Sequence, residues 1–181
     1  MATTTIRDAA RADVPEILKL IRALAAYERE PDAVTATEAA LLEHGFGPNP
    51  FFFCLMAEHD GYPAGFALYF YNYSTWLGKP GMYLEDIFVY PQFRGLGIGK
   101  ALLQRVAAIA LENGCLRLQW EVLDWNTLAI DFYRAMGAEF LDEWRNVRIS
   151  GPALRRLAGS TPNSAITAEP NPKPANLEPS I

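Results

Sequence analysis

Residues 82–102 read MYLEDIFVYPQFRGLGIGKAL, and this stretch decides which fold the sequence predicts. Its first part, 83–90, is rich in aromatic and branched residues, which is typical of a β-strand. Pro91 cannot donate a hydrogen bond to a neighbouring strand, so the strand is expected to end there. Three glycines at alternate positions follow, and a helical pattern of apolar residues begins after them. The stretch therefore predicts a strand, a glycine-rich connection and a helix.

The glycine-rich connection has the composition of an anion site. Gly95, Gly97 and Gly99 let the backbone approach a ligand closely, and a helix N-terminus presents amide N–H groups that suit a phosphate. Arg94 and Lys100 add positive charge on either side. A Walker A loop needs GxxxxGK[ST] and a dinucleotide loop needs GxGxxG, and the residues present fit neither pattern. An ordinary glycine-rich loop is the alternative interpretation.

The spacing that does fit is Arg-x-x-Gly-x-Gly over residues 94–99, which resembles motif A of the GNAT acetyltransferase superfamily. Six segments in the right order are similar to its diamine acetyltransferase branch, nearest to the thialysine N-epsilon-acetyltransferases. They are LLEHGFG, STWLGK, YLEDIFV, RGLGIGKALL, LDWN and DFYRAMGA. The resemblance covers roughly residues 4–158. It implies an α/β (α+β) fold of the GNAT type: a mixed, mostly antiparallel sheet, helices on both faces, and a parallel strand pair at the acetyl-CoA slot.

Composition narrows the class of protein. The chain has 181 residues, half of them hydrophobic, which is enough for one domain with a real core. Its net charge of −5 and lack of a basic cluster argue against a nucleic-acid partner. Cys54 and Cys115 lie in apolar runs and are expected to be buried thiols, while His44 and His59 offer no metal-ligand pattern.

The sequence also predicts where the protein acts and how it is divided. It shows no signal peptide and no apolar run long enough for a membrane span, so a cytoplasmic protein is expected. Residues 1–158 are predicted to form the acetyltransferase domain. Residues 159–181 hold five prolines and are predicted to be a flexible tail. A homodimer is expected from the resemblance alone.

Periodicity and turn residues predict the remaining elements. A capping box at Asp13 and Glu16 begins a helix that reaches Tyr27. Thr37 caps a second helix that Gly45 closes. The predicted strands are 3–7, 51–58, 65–73, 83–90, 115–123 and one or two within 139–149. The other predicted helices run from the glycine-rich connection to 113–114, over 126–136 and from 150 to 157. An Asp-Gly hairpin turn is predicted at 59–62.

Acetyl transfer to an amine needs a group that removes a proton, because an alkylammonium with a pKa near ~10.4 is almost fully charged at neutral pH. The resemblance implies that Glu85 is this base, acting through water. Strand alternation predicts that Glu85 and Asp86 point to opposite faces, so that one of them faces the substrate. Without the resemblance, a pair of edge carboxylates in ordinary salt bridges is the favoured interpretation. The resemblance also implies that Tyr133 is the acid that protonates the leaving thiolate, although its helical spacing also fits a residue of the core. The oxyanion donor that the resemblance implies is the backbone amide near Val89, which a bulge at the end of the strand would leave unpaired.

Acetyl-CoA is the cofactor that the resemblance implies. The residues implied to bind it are Ile87, Phe88, Val89, Arg94, Gly95, Leu96, Gly97, Ile98, Gly99, Lys100, Asn126 and Tyr133. Those implied to line the amine site are Tyr27, Glu28, Trp76, Glu85, Gln119, Trp120, Glu121 and Glu143. A solvated loop at Tyr27 and Glu28, and a packing role for Trp76, are the alternatives from the residues alone.

The substrate class follows from one departure within the branch. The polyamine enzymes carry an acidic residue before proline and tryptophan, where this chain has Ser74-Thr75-Trp76. Loss of that carboxylate favours a short primary amine, such as a lysine analogue or small diamine, over a long polycation. Two alternatives remain: a protein or peptide N-acetyltransferase, and a non-catalytic acyl-CoA-binding sensor. Direct attack in a ternary complex is expected, because the sequence shows no Cys or Ser with a base partner.

Overall fold

The computed structural model describes residues 2–159 of the chain. The strands of this part are β1 (Thr4–Asp8), β2 (Phe53–His59), β3 (Tyr62–Ser74), β4 (Lys79–Val89) and β5 (Leu118–Gln119). The helices are α1 (Val14–Tyr27), α2 (Glu38–Phe46), α3 (Ile98–Glu112), α4 (Thr127–Ala135) and α5 (Gly151–Leu157). Short 3-10 turns at Arg11–Asp13 and Pro91–Phe93 precede α1 and the glycine-rich connection.

The strands form one five-stranded sheet whose order, β1-β2-β3-β4-β5, is the order of the chain. The first four strands are antiparallel, and β5 runs parallel to β4, which confirms the predicted mixed sheet. The turn between β2 and β3 has Asp60 at φ 50° and Gly61 at φ 79°, the left-handed backbone that an Asp-Gly hairpin needs. Pro91 ends β4, as predicted.

Helices cover both faces of the sheet. The helices α1 and α2 share one buried cluster with alternate residues of the strands: Val14, Ile17, Leu18, Leu20 and Leu41 from the helices, with Cys54, Met56, Phe66, Leu68 and Phe88 from the strands. The intervening residues, such as the fully buried Leu55 and Ala67, point to the opposite face. There α3 contacts β3 and β4, and Ile98, Leu102 and Val106 are buried.

A β-bulge interrupts β4 at Glu85. Leu68 pairs with Asp86, but the next residue, Tyr69, pairs with Leu84, so Glu85 is an extra residue in the strand. Paired residues share a face, so Asp86 lies on the face of Leu68, toward α1, whereas Leu84 lies on the face of Tyr69. Strict alternation, from which Glu85 and Asp86 were predicted to face opposite sides, therefore does not hold through this part of β4. The bulge lies at Glu85 rather than at the end of the strand beside Val89.

The bounds of α1 confirm the prediction, but its predicted cap and the predicted end of α2 differ from the structure. Asp13 does not cap α1 through its side chain, because its carboxylate accepts hydrogen bonds from Arg7 Nη1 at 2.7 Å and Nη2 at 2.8 Å, and from the Ala10 amide at 2.7 Å. Thr37 does cap α2, accepting from the Ala40 amide at 3.2 Å. Gly45 lies inside α2, which continues to Phe46.

The predicted strands after α3 are mostly absent from the described residues. The pairing of β5 with β4 covers only Leu118 and Gln119 of the predicted 115–123, because it stops at Tyr83, just before the bulge. Within 139–149 the structure has no strand, so this part of the prediction is wrong. The helices α4 and α5 confirm the predictions over 126–136 and 150–157 within a residue at each end.

The chain divides into two compact units at residues 121 and 122. The first unit contains the whole sheet and α1 to α3. The second begins at Val122 and contains α4 and α5. The predicted domain limit at 158 stays a prediction, and the predicted tail lies, except for residue 159, outside the described residues.

Candidate active site

The glycine-rich connection folds into an anion-binding shape. Gly95 and Gly97 each have φ 78°, and Gly97 is the residue that precedes the first turn of α3. The first helical hydrogen bond runs from the Ala101 amide to the Gly97 carbonyl at 3.0 Å. The amides ahead of it have no acceptor inside the helix. These are the amides of Ile98, Gly99 and Lys100, and a phosphate group fits them.

The strand β4 presents an open backbone edge. The Tyr90 amide donates to the Ala64 carbonyl at 2.9 Å, so this pair is a hydrogen-bonded pair of the antiparallel ladder. Counting back along the register, Ile87 and Val89 occupy non-hydrogen-bonded positions, and their N–H and C=O groups point away from β3. The pairing on the other side of β4 ends at Tyr83. Beyond that point the strand offers backbone groups to an extended ligand.

Two other carboxyl groups act on Asp86 at the bulge. Asp86 is half-buried, and burial, followed by the charges of Glu85 and Glu28, raises its pKa to about 7. Burial also raises the pKa of Glu28, which directly follows the last residue of α1. Glu85 itself is exposed. Glu28 and Glu85, both predicted from the sequence, are therefore the two carboxylates whose charges act on Asp86, which was not chosen as the carboxyl that faces the substrate.

A cation–aromatic stack lies beside these carboxyl groups. The Arg94 guanidinium carbon lies 4.6 Å from the centre of the Tyr27 ring and 5.5 Å from that of Phe88. Arg94 Nε donates to the Val89 carbonyl at 3.1 Å. Arg94, predicted as a phosphate ligand, thus also contacts Tyr27, which was predicted to line the amine site.

The residues around β5 lie next to β4. Gln119 pairs with Tyr83, and the Tyr83 hydroxyl donates a hydrogen bond to the Glu121 carboxylate. The pKa of Tyr83 lies above its ordinary value, first through burial and then through Glu121 and the charge of Glu85. Gln119 and Glu121 therefore lie beside β4, at the point where its pairing with β5 ends.

Trp76 lies apart from the carboxyl groups. It is in the turn between β3 and β4 and is 89% exposed. Six residues of extended strand separate Lys79 from Glu85, which is roughly 20 Å. The buried Ser74 hydroxyl accepts from the Leu77 amide at 3.3 Å, so this side chain stabilises the turn.

The other predicted residues belong to the second unit. Asn126 caps α4 by accepting from the Ala129 amide at 3.3 Å. Tyr133 is the buried residue of α4, and its ring lies 5.3 Å from that of Phe132. Glu143 is exposed in a turn that follows α4.

Comparisons with known proteins identify the family. The acetyltransferase (GNAT) family matches residues 15–138. Thialysine N-epsilon-acetyltransferase from Sus scrofa is 46% identical over 170 residues, covering 88% of this chain and 99% of that protein.

The chain is a GNAT N-acetyltransferase.

A more distant relative and a solved structure are also similar to this chain. L-ornithine N5-acetyltransferase from Arabidopsis thaliana is 34% identical to this acetyltransferase, covering 84% of its chain and 86% of the plant protein. Among solved structures, an integron cassette protein from Vibrio cholerae has a TM-score of 0.72 and 26% identity, covering 87% of this chain and 98% of that one.

As a GNAT enzyme the acetyltransferase uses acetyl-CoA, which supplies the acetyl group as a thioester. The residues present fit this cofactor. The Gly95–Lys100 loop is shaped for phosphate oxygens, and the Ile87 and Val89 backbone groups point outward to accept and donate hydrogen bonds. A Cβ built at Gly97 meets nothing within 4 Å, so the space in front of the loop is open.

Sequence reasoning missed two contributors to the site and one contact of a third. Asp86 was not chosen as the carboxyl that faces the substrate, because a bulge leaves no mark in an alternating pattern, and Tyr83 was read only as a strand residue. Phe88 was predicted as a backbone contact of acetyl-CoA, without the contact of its ring with Arg94. The one available signal for Asp86 was a carboxyl inside an apolar strand. Burying an unpaired charged group costs free energy, so such a carboxyl is a candidate functional residue.

The described part of the chain contains neither a metal-binding cluster nor a membrane-spanning helix. Residues 2–159 contain no group of three or more His, Cys, Asp or Glu side chains arranged to hold a metal ion. Their helices are all too short or too polar to cross a membrane. Cys54 and Cys115 are both buried thiols, as expected.

Proposed function

We propose that this acetyltransferase acetylates a small primary amine, such as thialysine, another lysine analogue or a short diamine. The observation that carries the proposal is the cluster of Glu28, Glu85 and Asp86 at the β4 bulge, which supplies negative charge for one ammonium group. The 46% identity to a thialysine N-epsilon-acetyltransferase, over nearly the whole of that protein, supports this substrate class. The buried Ser74, in the position where the polyamine branch is acidic, supports a short amine.

Removal of the amine proton is proposed to use the two neighbouring carboxyl groups. Glu85 is the proposed base, acting through water, and its exposed position suits release of the proton to solvent. Asp86, with its pKa near 7, accepts a proton at neutral pH and shares this role.

Two further groups complete the proposed chemistry. The Val89 amide points away from β3 and is the proposed donor to the oxygen that gains negative charge during transfer. The Tyr133 hydroxyl is the proposed acid for the leaving thiolate. Direct attack in a ternary complex is proposed because no nucleophilic side chain is part of the site: Cys54 is buried in the core cluster and its pKa is far above the ordinary value, chiefly through burial.

The remaining binding roles stay proposals carried from the sequence. Acetyl-CoA is proposed to contact the backbone of residues 87–89, the loop from Arg94 to Lys100, and Asn126. The amine is proposed to contact Tyr27 and Glu28 beside the carboxyl groups. The further proposed contacts of the amine are Gln119, Trp120, Glu121 and Glu143, and Trp76 is proposed to line the mouth of the site, away from the carboxyl groups. A homodimer is proposed on the resemblance alone, and a cytoplasmic location is proposed as the sequence pattern predicted it.

Thiol release from acetyl-CoA tests the proposed substrate class. The panel is thialysine, lysine, putrescine, spermidine and a lysine-bearing peptide, and the variants are wild type and Tyr133→Phe. We expect turnover on the short amines and strongly reduced turnover in the variant, because the leaving thiolate then lacks its acid. Turnover only on the peptide would move the enzyme to the peptide class. Acetyl-CoA binding without any turnover would support the sensor alternative.

A further inference from the structure

Arg94 contacts both parts of the proposed site. It begins the glycine-rich loop, yet its guanidinium carbon lies 4.6 Å from the centre of the Tyr27 ring at the end of α1. Its Nε donates to Val89 at the end of β4, and its guanidinium also lies over Phe88. One side chain thus joins the loop, the helix and the strand.

The contacts of Arg94 use only part of its guanidinium group. One face lies on the aromatic rings, and the Nε–H edge donates to Val89 at 3.1 Å. Within residues 2–159, the terminal Nη groups form no hydrogen bond or ion pair. These four N–H groups remain for an anion, in the planar arrangement that suits phosphate oxygens. Arg94 can therefore bind a phosphate while it keeps its contact with Tyr27.

We infer that Arg94 is a positioning residue that couples acetyl-CoA binding to amine binding. When its Nη groups bind the pyrophosphate, the same side chain fixes the Tyr27 ring, and with it Glu28, the next residue. Glu28 in turn acts on Asp86 through its charge. Binding of one ligand then orders the site of the other. The inference rests on the proposed placement of the amine beside Tyr27 and Glu28.

The inference explains why this position requires arginine rather than any cation. A lysine ammonium is a single point charge, so it can bind phosphate, but it cannot also stack a planar face on Tyr27 and donate sideways to Val89. Arg94→Lys therefore keeps the positive charge and removes the coupling. Lys100 is the matched comparison, because it adds charge to the same loop but is exposed.

The experiment measures two affinities and their dependence on each other. The dissociation constant of CoA is measured by calorimetry with and without thialysine, and kcat and KM for both substrates are measured by thiol release. In Arg94→Lys we expect the KM of thialysine to rise about tenfold, since a cation–aromatic contact is lost. CoA affinity should fall less than about fivefold, and thialysine should no longer strengthen CoA binding.

Tyr27 supplies the second half of the test. Tyr27→Leu should raise the KM of thialysine as much as Arg94→Lys does. The KM of the double variant should be no higher than that of the more impaired single variant, because both substitutions remove the same contact. Tyr27→Phe keeps the ring and should retain the coupling between the ligands. Lys100→Ala should raise the KM of acetyl-CoA and leave that of thialysine unchanged.

Two results would overturn the inference. One is an Arg94→Lys variant that changes CoA affinity alone, and the other is additive effects of the Arg94 and Tyr27 substitutions on the KM of thialysine. Failure of the proposed function is distinct from both, since the wild-type enzyme would then bind CoA but show no turnover on thialysine.

Discussion

Asp86→Asn is expected to lower kcat/KM for the amine ~10²-fold, which is the size of effect that loss of a general base produces. The wild-type rate should rise with pH through a midpoint near 7, because the ionised Asp86 accepts the proton and its pKa is about 7. This step in the pH profile should be missing in Asp86→Asn. The measurement is kcat/KM for a short amine from pH 5.5 to 9.

Glu85→Gln separates the two carboxyl groups. We expect a loss of similar size, but with the step moved to lower pH rather than abolished, because the negative charge of Glu85 contributes to the raised pKa of Asp86. Glu58→Gln, which removes a carboxylate paired with Arg7 at 2.6 Å, is the control for a general charge effect and should leave the step in place. An unchanged step near pH 7 in Asp86→Asn would contradict the role of Asp86.

Stability provides an independent measurement on the same variant. Between the ordinary aspartate pKa of 3.8 and about 7, the folded protein holds a proton on Asp86 that the unfolded chain does not. The free energy of unfolding of the wild type therefore falls as pH rises through this window. Asp86→Asn has no carboxyl at this position and therefore does not lose this stability. The melting temperature of the variant minus that of the wild type should be larger at pH 8 than at pH 4.

Gly97→Ala is expected to weaken acetyl-CoA binding ~10–100-fold, the equivalent of one hydrogen bond to a charged group worth ~1.5–3 kcal/mol. An alanine Cβ at this position enters the open space before the α3 amides, where the phosphate is proposed to bind. The alanine also pays a left-handed backbone strain of about 1 kcal/mol at φ 78°. The measurement is the dissociation constant of CoA together with the melting temperature.

Gly61→Ala is the matched control for the loop substitution. Gly61 has φ 79° and open space around its added Cβ, but it lies in the turn between β2 and β3. Both variants should therefore lose similar stability, while only Gly97→Ala loses affinity for CoA. Equal CoA affinity in the two variants would contradict the assignment of the loop to the phosphate.

The parts of the fold that sequence predicts well have local causes. Pro91 ends β4, Thr37 caps α2, and the Asp-Gly pair makes the turn after β2, each through the chemistry of one or two residues. The phosphate loop is of the same kind, because its glycines and the following helix pattern are contiguous. Membership of the GNAT family followed from six such segments in order.

The features that sequence did not predict depend on distant residues. The bulge at Glu85 is a mismatch between the registers of β3 and β4, and neither strand shows it alone. Asp13 was expected to cap α1, but Arg7 from β1 takes its carboxylate. The position of Arg94 over Tyr27 joins residues 67 positions apart, and motif A gives no indication of that contact. Such pairings are decided by tertiary packing.

The order of the strands has a consequence for how the protein is made. Each strand of the sheet adds to its predecessor in the chain, so no strand must be inserted between two that are already paired. The strands β1 to β4, together with α1 and α2, all precede residue 90. A ribosome-bound chain can thus pack one face of the sheet as soon as β4 has emerged, before the glycine-rich loop has left the ribosome. The carboxyl cluster and Tyr27 are then already in place when Arg94 emerges to join them.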